Sequence, residues 1–190
     1  MVTESKRTSF EEVLVPHLDA AYNLARWLTR NEQDAEDVVQ EAYLRAFRFF
    51  AGFRGGDARP WLLKIVRNTF YSQLQHNWSS EDTTPFDEEI HGDQEGLLSP
   101  EALLLQNANS KLLRQGLEQL PLKLREVLVL RELEGLSYRE IAEVAEIPLG
   151  TVMSSLSRAR DRLRQSLLTL LDKKPSVQQN LRVSKGLEIC

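Results

Sequence analysis

Residues 135–164, GLSYREIAEVAEIPLGTVMSSLSRARDRLR, constrain the fold more tightly than any other stretch, because their pattern fits two helices joined by a tight turn. Ser137 stands where an N-cap belongs, and Glu140 three residues on completes a capping-box pattern. Ile141, Ala142 and Ala145 form a narrow apolar face whose alanines let a second helix cross closely. Glu146-Ile147-Pro148 interrupts the pattern, since the residue before a proline is pushed out of helical geometry. From about Leu149 a second helix begins, with Val152, Leu156, Ala159 and Leu163 along one stripe. Its other faces carry Thr151, Ser154, Ser157, Arg158, Arg160, Arg162 and Arg164. Hydroxyls near a helix start and arginines farther along suit base edges and phosphates. An amphipathic hairpin with merely solvated arginines shows the same stripe. The capped entry, the proline-marked turn and the arginine cluster against the single Asp161 weigh towards DNA.

The 190 residues suffice for one medium or two small domains. A net charge of −4 is not that of a general nucleic-acid binder, but it conceals an asymmetry. Between Ser79 and Glu101 lie Glu81, Asp82, Asp87, Glu88, Glu89, Asp93, Glu95 and Glu101 with no Lys or Arg, so the remainder carries a net charge of +4. The single cysteine, Cys190, precludes an intrachain disulfide or cysteine zinc site and favours a reducing, cytoplasmic setting. His17, His76 and His91 have no metal-ligand spacing, so neither a metal nor a cofactor is expected. No apolar run is long enough to span a bilayer, and MVTESKRTSF lacks the apolar core of a signal peptide.

In order, residues 9–30 read as a helix with Ser9 as its cap, apolar at Val13, Leu14, Leu18, Ala21, Leu24, Ala25 and Leu28, and disturbed by Pro16. A second helix runs from about Asp34 to Ala51, with Val38, Val39, Ala42, Tyr43, Ala46, Phe47 and Phe50 inward and Asp37, Gln40 and Glu41 on the polar side. Residues 52–57 form a glycine-bearing loop that carries Phe53, Arg54 and Asp57. Arg59 to Asn77 reads as a helix with Pro60 in its first turn. Its aromatics interleave with Lys64, Arg67 and Asn68, a composition that can form a stacking platform for unpaired bases, although Trp61, Leu62, Ile65 and Val66 read mostly as core. Residues 78–100 form an acidic linker between units expected to move independently. Further helices are expected from Glu101 to Pro121, over 123–134 closed by Gly135, and from Leu149 to as far as Asp172, before a loose tail over 173–190.

Three stretches in this order resemble an extracytoplasmic-function sigma factor of bacterial RNA polymerase, over about residues 9–172. DAEDVVQEAYLRAF (34–47) resembles the region-2 helix that docks on the polymerase clamp. FRGGDARPWLLKIVRNTFYSQL (53–74) is similar to the part that reads and opens the −10 element. LPLKLREVLVLRELEGLSYREIAEVAEIPLGTVMSSLSRARDRLR (120–164) looks like region 4, which reads the −35 element.

The resemblance implies an all-α fold with region 2 over 9–77, a linker over 78–100 and region 4 over 101–172. It implies that Asp37, Gln40 and Glu41 face the clamp of the largest subunit, with the flap of the second subunit a further contact. Phe53, Arg54 and Asp57 would surround a flipped non-template base, and Lys64, Arg67 and Asn68 the adjacent strand. Thr151, Ser154, Ser157 and Arg158 would face the −35 groove, with Arg160 and Arg162 nearer phosphates. The implied partners are core RNA polymerase, promoter DNA and an anti-sigma factor, without membrane insertion. Met153 departs from the family pattern, which commonly has Lys or Arg there, and is expected to point away from the apolar stripe.

A dimeric helix-turn-helix repressor would explain 101–172 but leave 34–74 without a role, and a helical protein adaptor would leave both the loop with its aromatic helix and the arginine-bearing helix without one. An enzyme fits least, since no nucleophile–base set, metal cluster or phosphate loop stands out.

Overall fold

The structure, a computed structural model, describes residues 9–79 and 110–172. The acidic linker beyond 79, the start of the helix expected from Glu101, and the tail over 173–190 lie outside the described residues. Among the described residues there is no strand.

A short helical segment at 9–14 gives way to a 3-10 turn at Val15–His17, where Pro16 cannot donate a backbone hydrogen bond. Helix α1 (Leu18–Thr29) then buries Ala20, Ala21, Leu24, Ala25 and Leu28, and ends at Arg30 in the left-handed region with φ 62°. Leu18, expected on the apolar side, is 44% exposed at the first position of the helix. Helix α2 (Glu32–Phe49) begins two residues earlier than its apolar pattern suggests, because the Asn31 side chain accepts a hydrogen bond from the Asp34 N–H at 3.0 Å. It buries Ala35, Val38, Val39, Ala42 and Ala46 and is followed by a 3-10 turn at Phe50–Gly52. Phe47, expected inward, sits at the rim, 38% exposed, with its ring edge-on to Phe10. Helix α3 (Ala58–Ser79) contributes Leu62, Leu63, Val66 and Phe70, and packs against α1 and α2. Tyr43 ties the entry segment down by donating to the Leu14 carbonyl at 2.9 Å.

The second unit contains a helix at 110–118 (α4), then α5 (Leu122–Glu132), α6 (Tyr138–Ala145) and α7 (Leu149–Asp172). Gly135 sits at φ 66° between α5 and α6, a conformation that costs a glycine little. The Ser137 hydroxyl accepts from the Glu140 N–H, and the Glu140 carboxylate accepts from the Ser137 N–H, so the capping box is complete. Helix α6 buries Ile141, Val144 and Ala145 against α7, which presents Val152, Ser155, Leu156 and Ala159. The turn falls at Glu146-Ile147-Pro148, as the pattern predicts, between the end of α6 at Ala145 and the start of α7 at Leu149. Glu146 caps α6 in the left-handed region at φ 55°, its N–H bonded to the Ala142 carbonyl. Gly116 of α4 is pressed against α7, and a Cβ there would lie 2.9 Å from Leu163 Cδ1 and 3.0 Å from Leu167 Cδ2.

The two units, expected to behave independently, pack together with α1 against α5 and α3 against α6. Their buried apolar residues form one continuous core. The cause lies in α5, where Arg125 and Glu126 are buried together with Val127, Leu128, Val129 and Leu130. A helix covered on nearly all sides has neighbours on more than one face.

Removing the Ser137 hydroxyl exposes the orphan N–H of Glu140. Ser137→Ala is expected to cost about 1 kcal/mol in urea-induced unfolding while keeping the helical circular dichroism signal. An unchanged midpoint would mean that the cap contributes nothing.

Candidate nucleic-acid and docking surfaces

Helix α7 turns its apolar stripe inward and leaves Thr151, Met153, Ser154, Ser157, Arg158, Arg160 and Arg162 exposed. Met153 is 50% exposed, off the buried stripe. Two arginines are held by neighbours. Arg158 Nε donates to the Ser154 carbonyl at 3.2 Å, and Arg160 Nη2 donates to Glu132 on α5 at 2.7 Å. That carboxylate and the Tyr138 hydroxyl raise the Arg160 pKa above its usual value. Both ends of the Arg160–Glu132 pair are about half exposed, so the pair orients the guanidinium more than it stabilises the fold.

In the loop before α3, Gly55 and Gly56 take φ 84° and 91°, and the Asp57 carboxylate accepts from the Arg59 N–H at 2.9 Å. Arg54 and Asp57 are exposed. Phe53 is not a loose loop group. Its ring stacks on Phe50 with centroids 6.0 Å apart and lies tilted against Trp61 at 5.2 Å. This aromatic cluster gives the loop a firm base.

The basic face of α3 is occupied. Arg67 pairs with Glu126 of α5 and donates to Asn68 Oδ1 at 3.1 Å. Its guanidinium lies 4.7 Å above the Tyr71 ring, and the Tyr71 hydroxyl donates to Glu126 at 2.8 Å. Burial first, and then the Glu126 charge, raise the Tyr71 pKa far above its usual value. Arg59 pairs with Glu134 in the turn after α5. Lys64 meets Glu146 at 3.0 Å, and this hydrogen bond together with the lysine charge holds the Glu146 carboxyl below the ordinary carboxylate value. The three glutamates were not legible as partners, because a carboxylate on an isolated helix pattern reads as solvated.

On α2, Asp37 and Gln40 are exposed, and the half-buried Glu41 accepts from Arg45 Nε at 2.7 Å. Leu44 stands beside them, 55% exposed. Sequence reasoning passed over it, though its position outside the Val38–Ala42–Ala46 stripe is visible in the spacing. Among the described residues no group of three or more His, Cys, Asp or Glu could hold a metal ion, and no helix is long and apolar enough to cross a membrane.

The described residues form a two-unit helical chain with a capped helix-turn-helix in the second unit, the architecture of the helical transcription factors. Residues 14–80 match the family description Sigma-70 region 2, and residues 110–163 match Sigma-70, region 4. The chain belongs to the sigma-70 family, in its extracytoplasmic-function class of RNA polymerase sigma factors. It is similar to the RNA polymerase sigma-H factor of Pseudomonas aeruginosa, 34% identical over 177 residues that cover 90% of this chain and 92% of the relative. It is 35% identical to the ECF RNA polymerase sigma-E factor of Escherichia coli K12 over 145 residues, 73% of this chain and 76% of the relative. Among solved structures it resembles the sigma factor RpoE, in complex with the anti-sigma factor NepR from Bartonella quintana, at a TM-score of 0.70 and 29% identity, covering 84% of this chain and 96% of that one. The match over 14–80 leaves the repressor reading, which accounted for the second unit only, without support, and the two matches together leave the adaptor reading without support.

A carboxyl with a lowered pKa favours its contact above the ordinary carboxylate range, and that contribution is lost as pH falls through the lowered value. In Lys64→Met, Glu146 is therefore expected to titrate at higher pH than in the wild type, followed by its side-chain carboxyl NMR shift. Unchanged titration would mean that α3 and the α6–α7 turn do not meet in solution.

Proposed function

We propose that this alternative sigma factor binds core RNA polymerase through the polar face of α2, and reads the −10 element with α3 and its preceding loop and the −35 element with α7. Asp37, Gln40 and Glu41 serve as the clamp-docking group, to which Leu44 adds an apolar contact. Phe53, Arg54 and Asp57 receive a base taken out of the stack, and Lys64, Arg67 and Asn68 hold the strand beside it. Thr151, Met153, Ser154, Ser157 and Arg158 face the −35 major groove, with Arg160 and Arg162 towards phosphates. The functional division is region 2 over 9–77, linker over 78–100, region 4 over 101–172 and tail over 173–190. Region 4 also meets the flap of the second polymerase subunit.

No covalent step falls to this chain. Its contribution is binding energy that lets polymerase tell promoters apart and favours the opened strand, and the setting for that work is cytoplasmic. The complexes of RpoE with NepR and of CnrH with the cytosolic domain of CnrY support a similar protein partner here, an anti-sigma factor. The observation that carries the proposal is that one chain holds both an exposed hydroxyl-and-arginine face on α7 and an exposed Asp37–Gln40–Leu44 face on α2, in the order of the two matched families. The test is addition of the purified chain to sigma-free core polymerase, with promoter-specific transcripts as the expected product.

Because Asp37 and Gln40 are exposed, Asp37→Ala with Gln40→Ala is expected to change stability by no more than about 0.5 kcal/mol. It should weaken core-polymerase binding by about tenfold or more, an effect of about 1.4 kcal/mol. Wild-type assembly of this variant would show that the docking face lies elsewhere. Met153→Arg adds a cation on the exposed face of α7. On promoters that the holoenzyme selects from a random pool, a new phosphate contact would steepen the log–log salt dependence by roughly one unit. A contact to guanine would instead add about 1–3 kcal/mol of discrimination at one base pair. If neither changes, Met153 does not face DNA.

A further inference from the structure

We propose, resting on the assignment of α7 to the −35 groove made above, that Ser155 is a positioning residue for Arg158, and that the guanidinium it holds is a preset fork for a guanine edge. Ser155 stands where α7 should be apolar. It is 7% exposed and shares the buried face of the helix with Val152, Leu156 and Ala159. A hydroxyl buried in an apolar stripe costs stability unless it is hydrogen-bonded. A serine inside a helix commonly donates back to the carbonyl four residues earlier. For Ser155 that acceptor would be Thr151, whose carbonyl instead accepts from the Ser154 hydroxyl at 3.1 Å. Among the described residues the one partner of the Ser155 hydroxyl is Arg158 Nη2, which donates to it at 3.4 Å.

That contact completes a clamp. Arg158 Nε donates to the Ser154 main-chain carbonyl at 3.2 Å, so two oxygens of α7 hold the N–H groups along one edge of the guanidinium. The bond to Ser155 is long, but a second point of attachment stops the plane from turning about the first. The guanidinium is flat and its donors are fixed relative to one another. With the Nε–Nη2 edge turned to the helix, Nη1 and the remaining hydrogen of Nη2 form the open end of the fork. An arginine loses much rotamer freedom when it binds, and ordering it beforehand lowers that cost.

Both oxygens of the clamp are neutral, and among the described residues no carboxylate forms an ion pair with Arg158. Arg160 differs, since its Nε and Nη2 both donate to the Glu132 carboxylate. One arginine is thus oriented with its charge uncompensated, the other with its charge paired. Arg158 also continues the exposed line of Thr151 and Ser154, at spacings of three and four residues. The line of hydroxyls assigned to the groove therefore ends in a fork. In the major groove, O6 and N7 of guanine are the acceptor pair that matches it.

Buried as it is, Ser155 acts only through Arg158. Alanine at this position removes the second attachment and leaves every charge and every exposed side chain in place. Alanine is also the better helix former and buries no polar atom. Stability and base discrimination are therefore expected to move in opposite directions.

The test is a double-mutant cycle in holoenzyme, on single-base −35 variants of promoters selected from a random pool. R158A is expected to reduce discrimination by about tenfold at one base pair, which carries a guanine. S155A is expected to reduce discrimination at that same base pair by about threefold, and to have no further effect in the R158A background. The S155A chain should unfold at an equal or higher urea midpoint, and its salt slope should match the wild type because no charge is removed. Should S155A pack poorly, S155C is close in size, carries only a weak acceptor and has the same expected effect. In the free chain, the NMR order parameter of the Arg158 Nε–H should fall in S155A, a readout that needs no promoter. Unchanged discrimination in a folded S155A, a loss of equal size with and without Arg158, or an unchanged order parameter overturns the positioning role. If R158A lowers the salt slope but no base preference, Arg158 meets a phosphate and the guanine fork is overturned while the −35 assignment stands. If R158A changes neither, the −35 assignment of Arg158 falls and the fork with it.

Discussion

The meeting of Arg67, Tyr71 and Glu126 is the contact on which the packing of the two units depends. A carboxylate as buried as Glu126 requires a cation and a hydrogen-bond donor, and α3 supplies both from residues one turn apart. The two units therefore hold one another by charge as well as by apolar packing. Arg125 shows the cost. Its guanidinium is nearly covered, and burial lowers its pKa, with the nearby Arg30 charge adding to the effect. Its donors reach only the carbonyls of Leu28, Glu118 and Leu120, at 3.4–3.5 Å. Arg30 in turn donates to the Glu118 carbonyl across the same boundary. Charge that is partnered on α3 and strained beside α1 makes the interface specific without making it strong.

What sequence could reveal followed the range of the interactions involved. The capping box at Ser137 and Glu140 is a contact between residues three apart, so its chemistry is written locally and the α6–α7 hairpin was legible almost to the residue. The stripe of α2 was legible for the same reason, through its helical repeat of alanines and valines. The cap at Asn31 was missed because the apolar pattern starts later than the helix does. The left-handed Glu146 was missed because only glycine advertises that conformation.

The association of the two units lay beyond a pattern-based reading. Periodicity assigns charged residues outward, and in α5 that rule fails at Arg125 and Glu126 because another helix covers them. The candidate site divided along the same line. The exposed face of α7 was readable from its own helix. The occupation of Lys64 and Arg67 depends on residues about sixty to eighty positions away, joined by chain whose composition carries no pairing signal.

Helix α7 runs for 24 residues, about 36 Å, and the exposed hydroxyls of Thr151 and Ser154 sit near one end. Toward the other end, Leu163 and Leu167 rest on Gly116 of α4, where a Cβ would lie 2.9 Å from Leu163 Cδ1 and 3.0 Å from Leu167 Cδ2. A side chain at position 116 has to displace those flexible leucine ends, and so loosens the crossing that seats the far half of α7 on its unit. On the −35 assignment proposed above, the seating of the reading helix thus depends partly on a glycine far along the chain from Thr151 and Ser154.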